Sequence, residues 1–335
     1  MTTLMAHETA EAPRAIAAML HDNVDRLAAL GERLRAGPPP VVVTCARGSS
    51  DHAATYGKYL IETLTGVPVA SAAPSVVSLY GAPPQVAGGL MIAISQSGRS
   101  PDLLATVKAH AAAGAHVVAL VNDEKSPLAE MAMTLLPLRA GPERAVAATK
   151  SCLTSLAGLA AIAAAWSGDA TLTDALAGSP DAVSDALRAD WTPAIPPLIG
   201  AERMFVLARG YGLGIAQEAA LKLKETSSIQ AEAFSAAEVR HGPMRIVDTG
   251  FPILGFATSD DAGDDVAAVT AELAARGAVA LTAGPGRILP INAGHPAIEP
   301  LAMLAGFYRF AEALALARGH DPDRPPHLAK ITRTL

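Results

Sequence analysis

Residues 90–101 read LMIAISQSGRSP, and this stretch decides the fold. Its apolar run 90–94 predicts a buried strand, and the hydroxyl-rich loop 95–100 leads into a helix for which Ser100 suits the N-cap and Pro101 the first turn. A strand, a short loop and a helix in this order are typical of parallel α/β sheets, which bind ligands beyond the carboxyl ends of their strands.

A second copy of this pattern lies upstream, and both copies recur in the other half of the chain. The run VVVTC at 41–45 enters ARGSS at 46–50, and Ala-Arg-Gly returns at 208–210 after another apolar run. Such matches predict a duplicated unit. We expect two tandem flavodoxin-like three-layer αβα sandwiches with parallel sheets. Three further pairs match nearly in register: 62–63 with 225–226, 90–94 with 252–256, and 114–120 with 277–281.

The domain boundaries follow from composition and from proline-rich breaks. The uncharged run 151–168 approaches the length of a membrane span, but its hydroxyl groups and alanines favour a buried helix. We predict a helical segment at 1–37, a first domain at 38–170, a linker helix at 171–197, a second domain at 198–320 and a tail at 321–335 that closes the active site.

Composition limits the possible functions. The chain has 335 residues, 50% of them hydrophobic, which is enough apolar material for two cores. A net charge of −6 argues against nucleic-acid and anionic-membrane partners. Cys45, Cys152 and nine scattered histidines show no metal-ligand spacing, so we expect no metal. The glycines at 210, 212 and 214 do not match the G-x-G-x-x-G spacing of dinucleotide sites, and we expect no organic cofactor. Without a signal-peptide pattern, we expect a cytoplasmic protein.

The loop 95–100 predicts a site for a phosphate monoester. Its hydroxyls, its glycine and the following helix N-terminus can bind an anion without lysine, although such a loop can also be only a tight turn. The corresponding loop 257–260 ends in Asp260 and is followed by Asp261, Asp264 and Asp265, and these four carboxylates would repel phosphate. We therefore expect one phosphate site in each chain, with the aspartates capping a helix and facing solvent.

Charged residues in the second half predict acid–base chemistry. Glu218, Lys222 and Glu225 are spaced four and three apart, which places them on one helix face, although such a stripe is often only solvated ion pairs. His241 precedes Gly-Pro on a predicted turn and can transfer protons near neutral pH. Lys330 lies in an unstructured tail, where a solvated lysine is the alternative interpretation.

Six motifs in order identify the chain as similar to the sugar-isomerase (SIS) family over nearly its whole length. In particular it resembles the isomerase half of glucosamine-6-phosphate synthase, also called glutamine-fructose-6-phosphate aminotransferase, and the stand-alone SIS-type glucosamine-6-phosphate deaminases. The motifs are GSS at 48–50, SQSG at 95–98, VAATK at 146–150, EAALKLKE at 218–225, EVRHGP at 238–243 and LAK at 328–330.

The resemblance implies roles for individual residues. Glu225 would move a proton between C1 and C2 of an open-chain sugar, supported by Glu218 and Lys222. In a homodimer, His241 would come from the partner subunit and assist ring opening, and Lys330 could bond to the open-chain sugar. The residues implied to bind the phosphosugar are Gly48, Ser49, Ser50, Ser95, Gln96, Ser97, Ser100, Val146 and Ala329.

Two departures from the synthase pattern shape the expected reaction. Thr2 stands where the synthase has the cysteine of its glutaminase domain, and Arg99 replaces an acidic residue. We therefore expect no use of glutamine, and a reaction in which glucosamine 6-phosphate and water give fructose 6-phosphate and ammonia. The alternatives are another phosphosugar aldose–ketose isomerase, a fructosamine-phosphate deglycase, and a non-enzymatic phosphosugar sensor.

Overall fold

The computed structural model describes residues 3–330. The contacts divide the chain into two compact units, each with one parallel sheet. The first-sheet unit holds residues 14–142, 154–177 and 329–330, and the second-sheet unit holds residues 3–13, 143–153 and 178–328. The units are therefore not continuous segments of the chain, since α1 (Leu4–Ala10) belongs with the second sheet.

The first sheet has the strand order β2-β1-β3-β4-β5, with all strands parallel. This is the flavodoxin-like order that the repeated pattern predicted. The elements up to residue 186 are α2 (Ala12–Asp22), α3 (Val24–Ala36), β1 (Val42–Cys45), α4 (Ser49–Thr65), β2 (Val69–Ser71), α5 (Pro74–Ser78), β3 (Leu90–Ser95), α6 (Pro101–Ala112), β4 (His116–Val121), α7 (Pro127–Met131), β5 (Thr134–Pro137), α8 (Lys150–Ser167), α9 (Ala170–Ala177) and α10 (Ser179–Ala186).

The second sheet repeats this topology in the order β10-β9-β8-β6-β7, again parallel throughout. With β6 taken as the first strand of its half, the order matches that of the first sheet strand for strand. The remaining elements are β6 (Arg203–Ala208), α11 (Leu213–Ser227), β7 (Gln230–Ser235), β8 (Pro252–Phe256), α12 (Asp261–Ala275), β9 (Val279–Gly284), β10 (Leu289–Pro290) and α13 (Glu299–Ala317).

Each sheet has its own apolar core. In the first, Leu103 and Val107 of α6 pack with Met91 of β3 and Val117 of β4. In the second, a cluster on one face of the sheet contains strand residues and the apolar side of α12. β1, β3 and β8 are buried along their full length, so these cores fix the strands whose ends carry the candidate site.

The structure differs from the sequence pattern at several connections. The predicted N-terminal helical segment is three helices, α1 to α3. In place of one linker helix at 171–197 there are α9, α10 and two 3-10 turns, because Gly178 and Pro180 interrupt the helical run. The edge strands β2, β5, β7 and β10 were not predicted, since short strands with one neighbour carry a weak apolar pattern.

The long apolar helices are core helices. α8 covers the uncharged run and is almost wholly buried, as its composition indicated. Among residues 3–330, α13 is long and apolar enough to cross a membrane by length and composition, but 72% of its apolar window is buried inside the fold. Burial of this extent is typical of a helix that packs on a sheet.

Candidate active site

The two serine loops of the first-sheet unit, residues 46–50 and 95–100, lie at the carboxyl end of the parallel strands. β1 pairs with β3 in parallel, so the loops that follow these two strands emerge side by side. Gly48 adopts a positive φ of 54° before α4, and loop 95–100 precedes α6. Two helix N-termini, whose N–H groups favour anions, therefore point to the same edge.

The loop between β3 and α6 is held tightly. The Ser95 hydroxyl accepts a hydrogen bond from the Gly98 amide at 2.9 Å and still carries a proton to donate. Gly98 has a φ of 63°, and a Cβ there would lie 2.2 Å from Ser126 Oγ. Glycine is required at this position, and the turn brings Gln96 and Ser97, both partly exposed, to the sheet edge.

The side chain of the N-cap residue Ser100 does not cap α6. Ser100 occupies the N-cap with extended backbone, but its hydroxyl makes no capping hydrogen bond. An N-cap hydroxyl normally accepts from the first turn of its helix. The Leu103 amide of the first turn is instead bound by Asp102 Oδ1 at 2.8 Å, so at the start of α6 it is the Ser100 hydroxyl that suits an anionic ligand.

Arg47 joins the two serine loops. Its guanidinium donates to Asp102 Oδ2 from Nη2 at 2.6 Å and from Nε at 3.0 Å. Asp102 is buried in the first turn of α6, where its carboxylate would otherwise repel a phosphate. The ion pair neutralises that charge and ties the β1 loop to the β3 loop.

Arg99, which the sequence placed beside the phosphate loop, is also paired. Its Nη2 lies 2.7 Å from Asp123 Oδ2. The Arg99 hydrogen bond, together with the Lys125 amide, lowers the pKa of Asp123. The Arg99 charge is thus directed toward the loop after β4.

At the carboxyl end of the second sheet, the loop after β8 is bound by carboxylate side chains. Asp260 caps α12 by accepting from the Gly263 amide at 3.1 Å, as expected. The buried Glu299 accepts from the Ser259 amide at 2.7 Å, and burial raises its pKa. Asp265 does not simply face solvent, because it pairs with Arg209 at 2.8 Å. These contacts occupy the Ser259 and Gly263 amides with carboxylates of the chain.

The three charged residues of α11 lie together, as their spacing predicted. Lys222 Nζ lies 2.5 Å from Glu225 Oε2 and 3.3 Å from Glu218 Oε1. The side chains of Lys222 and Glu218 are 1% exposed, whereas Glu225 is 19% exposed. The cluster is therefore not a solvated stripe, and Glu225 is its member that reaches the surface.

Tyr308 of α13 completes this cluster and was missed by sequence reasoning. Its hydroxyl donates to Glu218 Oε1 at 3.0 Å. Burial raises the pKa of Tyr308 and that of the neighbouring Cys152 thiol, so both stay protonated. Burial alone would lower the pKa of Lys222, but the charges of Glu218 and Glu225 outweigh burial and raise it. The lysine remains an ammonium between two carboxylates.

His241 ends a 3-10 turn, Glu238–His241, and is exposed. The neighbouring Arg240 binds Asp265 at 3.2 Å and Glu272 at 3.3 Å, both on α12. These ion pairs fix the turn on the second-sheet unit and leave the imidazole at its surface.

The remaining predicted residues lie outside regular elements. Val146 is partly buried in the segment before α8, and Ala329 is exposed. Lys330 is partly buried in the last described part of the tail, and residues 331–335 of the predicted closing tail lie outside the described residues. The serine loops belong to the first-sheet unit, and the α11 cluster and His241 belong to the second-sheet unit. Within residues 3–330, no group of three or more His, Cys, Asp or Glu side chains could hold a metal ion.

Comparison with known proteins places both sheets in one family. The SIS domain model matches residues 40–165 and 197–295, one match for each half. A glutamine–fructose-6-phosphate aminotransferase (isomerizing) from Aeropyrum pernix is 35% identical over 97% of this chain and 56% of its own length. The chain thus spans just over half the length of this curated relative.

Two solved structures share the complete fold. A protein from Silicibacter pomeroyi assigned as a phosphosugar isomerase is 40% identical, with a TM-score of 0.90 over 96% of this chain and 100% of that chain. A glucosamine-6-phosphate deaminase from Thermotoga maritima is 22% identical, with a TM-score of 0.76 over 96% of this chain and 100% of that chain. At that identity the second likeness concerns the fold alone.

Proposed function

Because the chain belongs to the SIS-domain family, we propose that it is a phosphosugar isomerase that acts as a glucosamine-6-phosphate deaminase. Glucosamine 6-phosphate and water would give fructose 6-phosphate and ammonia. The observation that carries the proposal is the α11 cluster, in which the buried Lys222 holds the more exposed Glu225. Buried charges are costly, so such a cluster is more typical of a catalytic site than of a structural one.

The phosphate would bind at the serine loops of the first-sheet unit. The hydroxyls of Ser97 and Ser100 would donate to it, and the dipoles of α4 and α6 favour an anion at their N-termini. Arg47 and Arg99 are engaged by Asp102 and Asp123, so recognition would rely on hydrogen bonds more than on net charge. This arrangement suits a phosphate monoester on a chain with a charge of −6.

The proton transfer is assigned to Glu225. Its Oε2 contacts Lys222, and in the proposed reaction its other oxygen removes the C2 proton of the open-chain amino sugar and delivers it to C1. The product of this shift is the C2 imine, to which water adds, and ammonia leaves as the ketone forms. The chain of contacts from Tyr308 through Glu218 to Lys222 would keep the base in one orientation.

An ammonia-release assay tests this proposal. With glucosamine 6-phosphate, the wild-type protein should release one ammonia for each fructose 6-phosphate formed. Glu225→Gln should lower kcat by about 10²–10⁴-fold, the usual contribution of a general base. Glu32→Gln, the same change at an exposed position of α3, is the matched control and should keep wild-type activity. No release by the wild-type protein would rule out the deaminase.

A second candidate is an aldose–ketose isomerase for a phosphosugar without nitrogen. The likeness to the Silicibacter pomeroyi protein over that whole chain favours retaining it. The same Glu225 would then act on a hydroxyaldehyde, and no ammonia would leave. Turnover of a hexose phosphate by a protein inactive on glucosamine 6-phosphate would select this function, and phosphosugar binding without turnover would indicate a sensor.

We also propose that the enzyme is a homodimer in which His241 serves the neighbouring subunit. The support is its exposed place at the end of a turn. Mixed Glu225→Gln and His241→Asn subunits form some heterodimers with one intact site, so activity should return to about a quarter of the wild-type level. No recovery would assign His241 to the site of its own chain.

A further inference from the structure

Helix α1 contacts a segment that contains no regular structure. Residues 143–149 form no helix or strand before α8 begins at Lys150, and Val146 lies in their middle. The SIS motif implies that the Val146 backbone contacts the sugar. Since no helix or strand fixes these peptide groups, other contacts must hold them.

Glu8 of α1 binds one end of this 143–149 loop. Its two carboxylate oxygens accept hydrogen bonds from consecutive amides, Arg144 N and, at 3.2 Å, Ala145 N. Glu8 is 4% exposed, so the contact is buried. Hydrogen bonds to a buried carboxylate are among the stronger ones in proteins.

The other end of the loop is bound by Glu143. Its Oε1 accepts from the amides of Thr149 at 3.0 Å and Ser151 at 3.1 Å, and its Oε2 accepts from Ser151 Oγ at 2.6 Å. Beside it, the buried Lys150 pairs with Glu11, which follows α1. The carboxylates therefore hold the backbone on both sides of Val146.

The opposite end of α1 is fixed to the start of the C-terminal tail. Asp323 accepts hydrogen bonds from Leu4 N at 2.6 Å and Met5 N at 2.8 Å, and thus satisfies first-turn amides of α1. Thr3 Oγ also donates to Glu312 at 2.9 Å. The same tail continues to Lys330, so one short helix joins the tail to the 143–149 loop.

We propose that α1 holds the 143–149 loop in place for sugar binding, a role that we call the strut, and that Glu8 and Asp323 are positioning residues. The inference rests on the proposed function, since it takes the 143–149 loop as a sugar contact. Glu8 fixes the loop, and Asp323 fixes the helix that carries Glu8. Neither residue touches the reacting atoms, so their loss should weaken sugar binding more than it slows the chemistry.

Glu8→Gln tests the strut at the loop. A glutamine has one acceptor oxygen, so its amide group must face the second backbone N–H and one hydrogen bond is lost. KM for glucosamine 6-phosphate should rise about 10-fold with kcat within about 2-fold of wild type. Partial unfolding would instead lower the apparent kcat at unchanged KM, and that outcome, or unchanged kinetics, would overturn the proposal. Glu32→Gln is the matched control.

Asp323→Asn provides a second variant at the more exposed end of α1. It should raise KM in the same direction by a smaller factor, about 3-fold, because the helix loses part of its anchor. In the double variant Glu8→Gln/Asp323→Asn the two effects should not multiply, since both act through α1. An Asp323→Asn protein with wild-type KM would contradict the role of the tail contact.

Hydrogen exchange of the peptide 143–151 separates this inference from the proposed function. Fructose 6-phosphate should slow exchange there in the wild-type protein and in Glu32→Gln, and should slow it less in Glu8→Gln. If the wild-type protein releases no ammonia, the deaminase proposal fails. The role of α1 is then tested only by how much the ligand slows hydrogen exchange in the peptide 143–151. Equal protection in all three proteins, or none in the wild-type protein, would overturn the strut.

Discussion

In the first sheet, the loop between β3 and α6 contains a Ser100 hydroxyl that makes no capping hydrogen bond, whereas in the second sheet the loop between β8 and α12 is filled by Asp260 and Glu299. Both loops follow the same strand of the same topology. In the second half, carboxylates bind the Ser259 and Gly263 amides. In the first half, Asp102 binds the Leu103 amide, but the Ser100 hydroxyl makes no capping hydrogen bond. We therefore assign the proposed phosphate site to the first half only.

The helices α4 and α11, which follow the first strand of each sheet, differ in the residues that they bury, and here the charged groups lie in the second half. α4 buries apolar residues, among them Tyr56, Leu60 and Ile61. α11 buries Glu218 and Lys222 within a single face. Because burying an ion pair seldom adds stability over an apolar pair, the charges in α11 point to chemistry in that half. In the proposed function, the first copy therefore supplies the phosphate-binding groups and the second copy supplies the acid–base groups.

The largest effect should follow from making α11 more like α4. Lys222→Met leaves the buried Glu218 carboxylate without its cation, so the free energy of unfolding should fall by about 3–5 kcal/mol. Urea unfolding at pH 7 measures this change. The double variant Lys222→Met/Glu218→Gln removes both charges and should recover most of the loss. A single variant as stable as the wild-type protein would show that the cluster does not depend on this pairing.

Ser100→Asp would convert the first-half loop to the second-half arrangement. The new carboxylate adds a negative charge at the start of α6, where we propose that the phosphate binds, so KM for the phosphosugar should rise about 100-fold. The free energy of unfolding should stay equal or increase, as measured by urea unfolding. Ser100→Ala, which adds no charge, should raise KM only a few-fold. Equal KM values for the two variants would argue against an anion at this helix.

Tyr308→Phe tests the contact between α13 and α11. It removes the hydroxyl that donates to Glu218, and a buried carboxylate that loses a donor costs about 1–3 kcal/mol. Thermal and urea unfolding measure the loss. Tyr59→Phe on α4, where the side chain is only partly buried, provides a control with the same chemical change. Equal stability losses in the two variants would remove Tyr308 from the cluster.

Glu299→Gln gives the smallest effect, and its sign depends on pH. Burial raises the pKa of Glu299 above 4.5, so the folded state holds this proton more tightly than the unfolded state. Its contribution to stability is complete below pH 4.5 and is lost as the pH rises through the raised pKa. The stability of Glu299→Gln relative to wild type should therefore increase between pH 4.5 and pH 7 in urea titrations. A constant difference would contradict the raised pKa.

The central fold was predictable because its information is local. The strands at 41–45 and 90–94 are short apolar runs beside glycine-containing loops, and their recurrence predicted two sheets with the order that the structure has. The α11 spacing likewise placed Glu218, Lys222 and Glu225 together. Edge strands such as β10, with two residues, carry too little pattern to be recognised.

The supporting contacts were not predictable because they join distant parts of the chain. Tyr308 reaches Glu218 from another helix, and Glu8 reaches Arg144 from the N-terminal segment. No periodicity in the sequence relates these pairs. Glu299 belongs to no pattern in the sequence, and only the fold shows that it accepts a hydrogen bond from the Ser259 amide.

Proton transfer by Glu225 is tested most directly by product analysis in D2O. If Glu225 carries a proton between C2 and C1 and exchanges it with solvent, the fructose 6-phosphate formed from glucosamine 6-phosphate should carry deuterium at C1, detected by NMR, with ammonia released in equal amount. Glu225→Gln should form both products at least about 100-fold more slowly. Deuterium-labelled product formed by Glu225→Gln at the wild-type rate, or no turnover by the wild-type protein, would contradict the account.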